Sequence, residues 1–403
     1  MSKTGNIFKN LKGDKSIWAI VALLAVFSFL PVYSASSNLA YLYSNGDTLK
    51  FLLTHFMHLV LGFAILYGVH KVPFRYFKGL SIIGLPIIII LLVITMAQGN
   101  TIDGANASRW IKVPFVGITF QTSTLASVVL MVYVARYLSR IQDKEITFKE
   151  TILPLWTPVA VVLMLILPAN FSTTAIMFAM ILTLVFLGGY PLKYIGIVVG
   201  TGVAAFGLFI LLALAFPKMM PNRIDTWKSR IESFNHSEET EEGYQIEKAK
   251  IAIATGGILG KGPGGSVQKN FLPQSSSDFI FAIIIEEYGL VGGLLLMLLY
   301  LLLLFRIVVV AHKSPSIFGK LVTVGVGLPI VFQALINMAV AVELFPVTGQ
   351  TLPMVSSGGT SIWMTCLAVG IILSVSAKRE EIKAREEKGE SEMNPLEILS
   401  ETI

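Results

Sequence analysis

The chain has 403 residues, 54% of them hydrophobic and only 14% charged, against about 25% charged in a soluble globular domain. With a mean hydropathy of +0.73 and a single cysteine, Cys366, this composition excludes a soluble enzyme, a disordered chain and a disulfide-stapled secreted domain. The net charge of +6 does not point to nucleic acid, because the basic residues are spread between apolar segments, as membrane topology requires.

A bilayer span takes roughly 17–25 mostly apolar residues. Ten segments qualify: Ile17–Ser34, Phe51–Val69, Gly79–Ala97, Thr119–Leu138, Thr151–Leu167, Phe171–Leu187, Tyr194–Phe216, Phe279–Phe305, Leu321–Val342 and Ser361–Ala377. The expected fold is therefore all-α, a polytopic membrane protein with ten transmembrane helices over residues 17–377. A cytoplasmic segment (1–16) precedes it and a cytoplasmic tail (378–403) follows. The first apolar run is too long for a cleaved signal peptide and reads as a retained span. Only Pro168-Ala169-Asn170 separates the fifth and sixth. One helix through Pro168 would lose a backbone hydrogen bond in lipid, so two spans in a tight hairpin are expected.

Lys and Arg set the orientation. With the N-terminus inside, 20 basic residues fall in inside segments and only Lys50, Arg109 and Lys112 in short outside loops. Both termini are thus expected in the cytoplasm and the 61-residue stretch Pro217–Ser277 outside. That stretch is too long to be a mere connector. Its acidic run, Glu238–Glu242, reads as a solvated tip.

Charge inside a bilayer is expensive, so acidic residues near spans mark candidate chemistry. Four qualify: Asp278, Glu286, Glu287 and Glu343. Asp278 follows Ser275-Ser276-Ser277 and could be a helix cap. On a continuous helix Glu286 and Glu287 would lie roughly 12–13.5 Å further along, turned by about 80° and 180° from Asp278. Glu286 would then share a cavity with Asp278, and Glu287 would face a separate partner. The glycine-rich string 253–265 lacks the Gly-Lys-Ser/Thr ending and preceding strand of a phosphate loop, so nucleotide binding is rejected. Its glycines would let backbone approach a ligand closely. The polar, proline- and glycine-containing string 345–361 cannot continue a helix and reads as an irregular loop sheltered at the membrane face. His55 and His58 have no third ligand nearby and read as helix-end polar residues.

Taken in order, these strings resemble the SEDS family (shape, elongation, division, sporulation: FtsW, RodA, SpoVE). The resemblance is carried by Leu272-Pro273-Gln274-Ser275-Ser276-Ser277-Asp278-Phe279-Ile280-Phe281-Ala282, by Glu286-Glu287-Tyr288-Gly289-Leu290-Val291-Gly292, and by Pro-Val-Thr-Gly…Leu-Pro…Ser-x-Gly-Gly-x-Ser from Pro346 to Ser361. Gln333, Asn337, Arg109-Trp110-Ile111 and the Gly256–Gly262 loop also match. The Thr-Gly-Gln-Thr-Leu-Pro form is most similar to the FtsW-like division branch.

The resemblance implies a peptidoglycan glycosyltransferase that polymerises lipid II outside the bacterial cytoplasmic membrane, at the division septum. Its substrates are lipid II and a lipid-linked glycan strand. Asp278 holds the position of the family's essential aspartate and would act as general base. The undecaprenyl pyrophosphate leaving group calls for positive charge. Arg109, Lys112, Lys261 and Lys269 are the candidates; a divalent cation (Mg or Mn) is the alternative, and the sequence assigns no cofactor. Thr348, Ser356, Gly358, Gly359 and Ser361 are expected to contact substrate, with Glu286, Glu287, Gln333 and Asn337 tuning the site. The implied partners are a class B penicillin-binding transpeptidase, other division proteins and membrane lipids, with no nucleic acid. Two family strings depart: Gln-Pro-Ser-Glu-x-x-Lys is Gln121-Thr122-Ser123-Thr124-Leu125-Ala126-Ser127 here, and Gln-Pro-Asp-x-Gly-Thr is Pro168-Ala169-Asn170-Phe171-Ser172-Thr173. A lipid II flippase, a RodA-like elongation polymerase and a non-catalytic scaffold are the competing readings.

Overall fold

A computed structural model describes residues 11–37, 47–98, 101–102, 105–106, 110–112, 119–142, 144–215, 241–272 and 275–387. Its helices follow the apolar segments in order. They are α1 (Lys15–Ala35), α2 (Thr48–Val69), α3 (Tyr76–Gln98), α4 (Thr122–Ile141), α5 (Phe148–Ile166), α6 (Phe171–Leu187), α7 (Leu192–Ala215), α8 (Glu241–Gly256), α9 (Ile280–His312), α10 (Ile317–Ala341) and α11 (Gly359–Glu387). Eight of them, α1–α5 and α9–α11, are long and apolar enough to cross a membrane. The other two expected spans are shorter apolar helices, Phe171–Leu187 (α6) and Leu192–Ala205 within α7. Length and composition therefore support eight crossings outright, and the count of ten rests on these two.

Chain breaks fall where the backbone chemistry demands them. Between α5 and α6, Asn170 takes the N-cap position and accepts from the Thr173 amide at 3.2 Å, so Pro168 lies between two helices. The first turns of α5 widen into a π-helical stretch, Ile152–Trp156. Pro154 there has no amide to donate, and its carbonyl accepts from Tyr133 Oη at 2.6 Å. Two short antiparallel pairs connect α3 to α4: β1 (Thr101–Ile102) with β2 (Ala105–Asn106), and β3 (Trp110–Lys112) with β4 (Thr119–Gln121).

The bundle is built around α11. Of its apolar window 83% is buried inside the protein, against 22% for α2. A helix apolar on all sides is a core element, whereas α2 and α3 turn apolar side chains outward, toward lipid. The long outer stretch is more regular than a loop: from residue 241 it forms α8, which buries Ile246, Ala249 and Ala252 along one face toward α9. The C-terminal tail is not separated from the last span, because α11 runs on without a break to Glu387.

One junction ties the two ends of the bundle together. Asp14 caps α1, accepting from the amides of Ser16 (2.9 Å) and Ile17 (3.2 Å). Its own amide donates to Ser376 Oγ on α11 at 2.7 Å, and its carboxylate pairs with Arg306 on α9. The start of α1 and the far part of α11 thus meet on one face, which requires an even number of crossings between them. Arg306→Ala leaves the nearly buried Asp14 carboxylate without its cation. We expect a loss of roughly 2 kcal/mol, below the full penalty for a broken buried pair because Arg306 is partly exposed. A lowered thermal midpoint in detergent, partly recovered by adding Asp14→Asn, is the measurement.

Candidate functional site

Asp278 lies in a turn, Ser275 to Phe279, that leads into α9. The N-cap of α9 is Phe279, which makes no side-chain cap bond, so Asp278 does not occupy the cap position. Instead four consecutive residues are each held by a hydrogen bond, from three different elements. Ser275 Oγ donates to Ala35 O at the end of α1 (3.0 Å). The Ser276 carbonyl accepts from the Ser357 amide (2.8 Å), and the Ser277 carbonyl from Ser356 Oγ (2.6 Å). The Asp278 carbonyl accepts from Asn337 Nδ2 on α10 (2.8 Å), and the same nitrogen reaches Gln350 O at 2.7 Å. The loop 346–358, irregular and sheltered as its composition led us to expect, packs directly on the turn. Gln333 Nε2 fixes that loop through Thr351 O (2.8 Å), and Thr351 Oγ1 donates to Ser361 Oγ (2.9 Å).

Inward of this platform lies a cavity between α4, α6, α10 and α11. Its outer end carries Gln121, Ser123, Thr124, Ser127, Thr173, Gln333, Gln350 and Ser361, and Gln350 Nε2 spans it to Thr173 Oγ1 at 2.8 Å. Its inner end is lined by Met131, Met180, Gly325 and Val326. No charged side chain lines it. Both departures from the family strings fall here: Thr124 and Ser127 line the wall, and Asn170 caps the helix that brings Thr173 to it.

The second half of the site is a break in α9. Gly289 has φ 69° and ψ −174°, outside the helical region, and only glycine adopts that conformation readily. In an unbroken helix the Leu290 and Val291 amides would bond the Glu286 and Glu287 carbonyls. The loop after α8 takes all four groups. Lys261 and Gly262 amides donate to the Glu286 and Glu287 carbonyls (both 2.9 Å), while the Leu290 and Val291 amides donate to Gly257 O (2.9 Å) and Ile258 O (3.2 Å). The backbones touch so closely that a Cβ on Gly256, Gly260 or Gly289 would lie 2.1–2.2 Å from a carbonyl oxygen of the opposing segment. These glycines thus admit the protein's own helix rather than a ligand.

The start of α9 at Ile280 corrects the placement of the two glutamates. Asp278 is not on the helix with them, so the 80° and 180° offsets do not apply. Both carboxylates are buried, 0% and 1% exposed, and both reach residue 266. Glu286 accepts from Lys261 Nζ (2.6 Å), Ser266 Oγ and the Val267 and Gln268 amides (3.1 and 3.2 Å). Glu287 accepts from Ser34 Oγ on α1 and from the Ser266 amide (3.4 Å). Glu286 serves the glycine loop, not a cavity beneath Asp278; Glu287 does find a separate partner in α1. Lys269 Nζ donates to Ser34 Oγ (3.0 Å) and Gly264 O (2.9 Å). Glu343 pairs with Lys250 of α8 at 2.6 Å.

Among the other expected residues, Thr348 and Gly358 are half-buried in the loop beside the turn. Gly359 is constrained by packing: a Cβ there would lie 2.6 Å from the His58 ring. His58 and His55 are not helix-end residues. His55 is buried, with Nε2 2.7 Å from Ser28 Oγ, and the His58 carbonyl accepts from Trp363 Nε1 at 3.2 Å. Arg109 and the residues 216–240 lie outside the described residues, as do the side chains of Lys112, Glu241 and Glu242. Among the described residues no three His, Cys, Asp or Glu side chains form a metal-holding group, so no protein ligand set for a divalent ion is assembled there. Sequence reading missed Ser34, Ser266 and Gln350; the Ser34-Ala35-Ser36 triplet in an apolar run was the available signal for the first.

The glycine exchange makes a sharp contrast testable. Gly289→Ala places its Cβ 2.1 Å from Ile258 O, whereas Gly264, also at positive φ (+78°), has open space around it. Gly264→Ala should cost only about 1–2 kcal/mol of backbone strain. Gly289→Ala should expel residues 257–262 and make them cleavable by added protease in intact membranes, which is the readout.

Residues 14–381 match the family described as Cell cycle protein, the FtsW, RodA and SpoVE group. A Geobacter sulfurreducens protein named "Probable peptidoglycan glycosyltransferase FtsW" is 32% identical over 381 residues, spanning 93% of this chain and 98% of that protein. A Nitrosomonas europaea protein of the same name is 31% identical over 374 residues, spanning 90% and 92%. Among solved structures, one from "Structural coordination of polymerization and crosslinking by a peptidoglycan synthase complex" superimposes with TM-score 0.70 at 24% identity, over 91% of this chain and 98% of that one. The Thermus thermophilus rod shape determining protein RodA gives 0.64 at 23% identity, over 91% and 97%. The structural likenesses establish the fold, and the sequence matches establish that this chain belongs to the FtsW/RodA/SpoVE family of cell cycle proteins, the SEDS family.

Proposed function

We propose that this protein is a peptidoglycan glycosyltransferase that polymerises lipid II into glycan strands at the outer face of the bacterial cytoplasmic membrane during cell division. The observation that carries the reading is the fourfold pinning of the 275–278 turn, which fixes a half-buried carboxylate beside the sheltered outer loop. The names of the FtsW relatives support the reaction, and the family description, Cell cycle protein, supports the division role.

In the reaction, the 4-hydroxyl of one sugar attacks the anomeric carbon of the lipid-linked donor. Its proton passes to the Asp278 carboxylate as the new C–O bond forms. The bond from the anomeric carbon to the pyrophosphate oxygen breaks, and undecaprenyl pyrophosphate leaves with the electron pair. The pinned backbone keeps the carboxylate where the hydroxyl must arrive, a positional requirement of about 1 Å. The two candidate lysines of the outer loop, Lys261 and Lys269, have different parts. Lys261 is neutralised by Glu286 at 2.6 Å and holds the loop. Lys269 meets the neutral oxygens of Ser34 and Gly264, so its charge can be directed at the leaving group. Arg109 and Lys112 remain further candidates for that role. Thr348, Gly358 and Ser361 are the loop residues proposed to face substrate, since Ser356 and Gly359 are used in packing. No step is routed through a metal ion.

A flippase needs a polar path through both leaflets. The cavity instead loses its polar lining inward, at Met131, Met180, Gly325 and Val326, which favours polymerisation over transport. The partner proposed is a class B penicillin-binding transpeptidase docked on the outer loop, in line with the coupling of polymerisation and crosslinking in the similar synthase complex.

The decisive experiment is lipid II polymerisation by purified protein. Asp278→Asn should lower the rate by about 10²–10⁴ with an unchanged thermal midpoint, because the backbone bonds that hold the turn remain. Long strands from the asparagine variant would overturn the general-base role. The unmodified chain alone should be slow, and faster by about 10-fold or more with the transpeptidase present, because the partner contacts the loop that locks α9.

A further inference from the structure

We infer that the Ile258–Leu259 turn is a membrane anchor, seated among the acyl chains of the outer leaflet. These two residues form the tip of the loop exchanged with α9, and they are 70% and 81% exposed. Their occupant follows from what the tip is joined to. Through the Gly257 and Ile258 carbonyls it is bonded to Leu290 and Val291. Those two residues head an exposed stripe that continues through Leu294, Leu295 and Leu298 along α9. On a helix that crosses a membrane such a stripe faces lipid, so the tip extends a surface already committed to hydrocarbon.

The height agrees. Counted along α9 from Arg306, which meets Asp14 at the opposite face, Gly289 lies 17 residues on, about 25 Å. Along α1 from Asp14, Ser34 lies about 30 Å away, and it touches Glu287. The hydrocarbon core is about 30 Å thick, so the tip sits at its outer edge. Irregular backbone is tolerated there only if its polar groups are satisfied by protein. Protein takes up five of the turn's polar groups: the Gly260 amide donates to Gly256 O, and the Lys261 and Gly262 amides and the Gly257 and Ile258 carbonyls are all bonded to protein backbone. The nearest charge, Lys261, points inward to Glu286. Apolar side chains outside, backbone bonded to α9 on the inner side and no charge at the tip suit acyl chains better than water.

The test places an environment-sensitive fluorophore at Leu259→Cys, in full-length protein with Cys366→Ala, reconstituted into phosphatidylglycerol/phosphatidylethanolamine vesicles. Glu247→Cys, on the exposed side of α8, is the aqueous reference. At position 259, quenching by lipids carrying a nitroxide near the top of the acyl chain should exceed that at 247 by about threefold or more. Quenching by aqueous iodide should be reduced to the same extent. Equal iodide quenching at the two positions would overturn the anchor. So would a probe at 259 that is open to iodide in vesicles and shielded only when a transpeptidase is added, which would assign the tip to a protein partner. Because each readout is a local environment and not an activity, the anchor stands or falls separately from the proposed reaction.

Discussion

Everything about the outer half of this protein depends on one exchange of hydrogen bonds. At Gly289 the ninth helix gives up two bonds of its own ladder, and the four groups released are taken by residues 257–262. A broken helix near hydrocarbon is otherwise untenable, since each open amide or carbonyl would cost several kcal/mol. The exchange removes that cost and joins the outer loop and the span into one rigid body. Three glycines make it sterically possible, because any side chain at 256, 260 or 289 would overlap the opposing backbone. The two buried glutamates then finish the joint, Glu286 gathering the loop and Glu287 fastening it to α1 through Ser34.

The bend sets where the 275–278 turn sits. A straight α9 would carry residues 280–288 onward along the span axis. Bent at Gly289, the segment leads to a turn that α1, α10 and the 346–358 loop can all reach. Asp278 is thus positioned by its own backbone carbonyl and those of its neighbours. The bonds that hold residues 276–278 are backbone bonds, and a rigidly held backbone is the support that acid–base work requires. The cavity behind it is neutral on every side. Where the related proteins are expected to carry an ion pair, Thr124 and Ser127 stand, and the polar span from Gln350 to Thr173 closes the gap. An ion pair replaced by two small neutral residues leaves no unmatched charge behind.

Much of this was legible in the residues. Apolar run length located the helices, and proline and glycine content marked loop 346–358 as irregular and sheltered. The motif strings placed Asp278, Gln333 and Asn337 in one neighbourhood. What was not legible follows from a single assumption, that α9 begins at Asp278 and runs straight. Nothing local in Glu286-Glu287-Tyr288-Gly289 reveals a break, since an isolated glycine in a helix usually only weakens it. The break exists because residues some 30 positions earlier supply its hydrogen bonds, and such pairing carries no periodicity to read. Likewise Lys261 reads as a free cation until its partner is known. The helix α8 was hidden because its apolar stripe is made of Ile246, Ala249 and Ala252, two of them too small to stand out.

The glycine exchange also bears on how the chain is made. Residues 257–262 leave the ribosome before 286–291, and while the later segment is being inserted its lowest-energy form in lipid is an unbroken helix. The bend can form only afterwards, when the earlier loop finds it on the outer surface. The span itself therefore has two backbone solutions, and only the bent one also serves the Lys261 and Gly262 amides of the loop. A chain that failed to make the exchange would still be inserted, but residues 257–262 would stand open on the outer surface, without the partners that α9 gives them. Such a protein would be an inserted bundle marked by one cleavable outer loop, so the exchange doubles as a checkpoint on the finished fold.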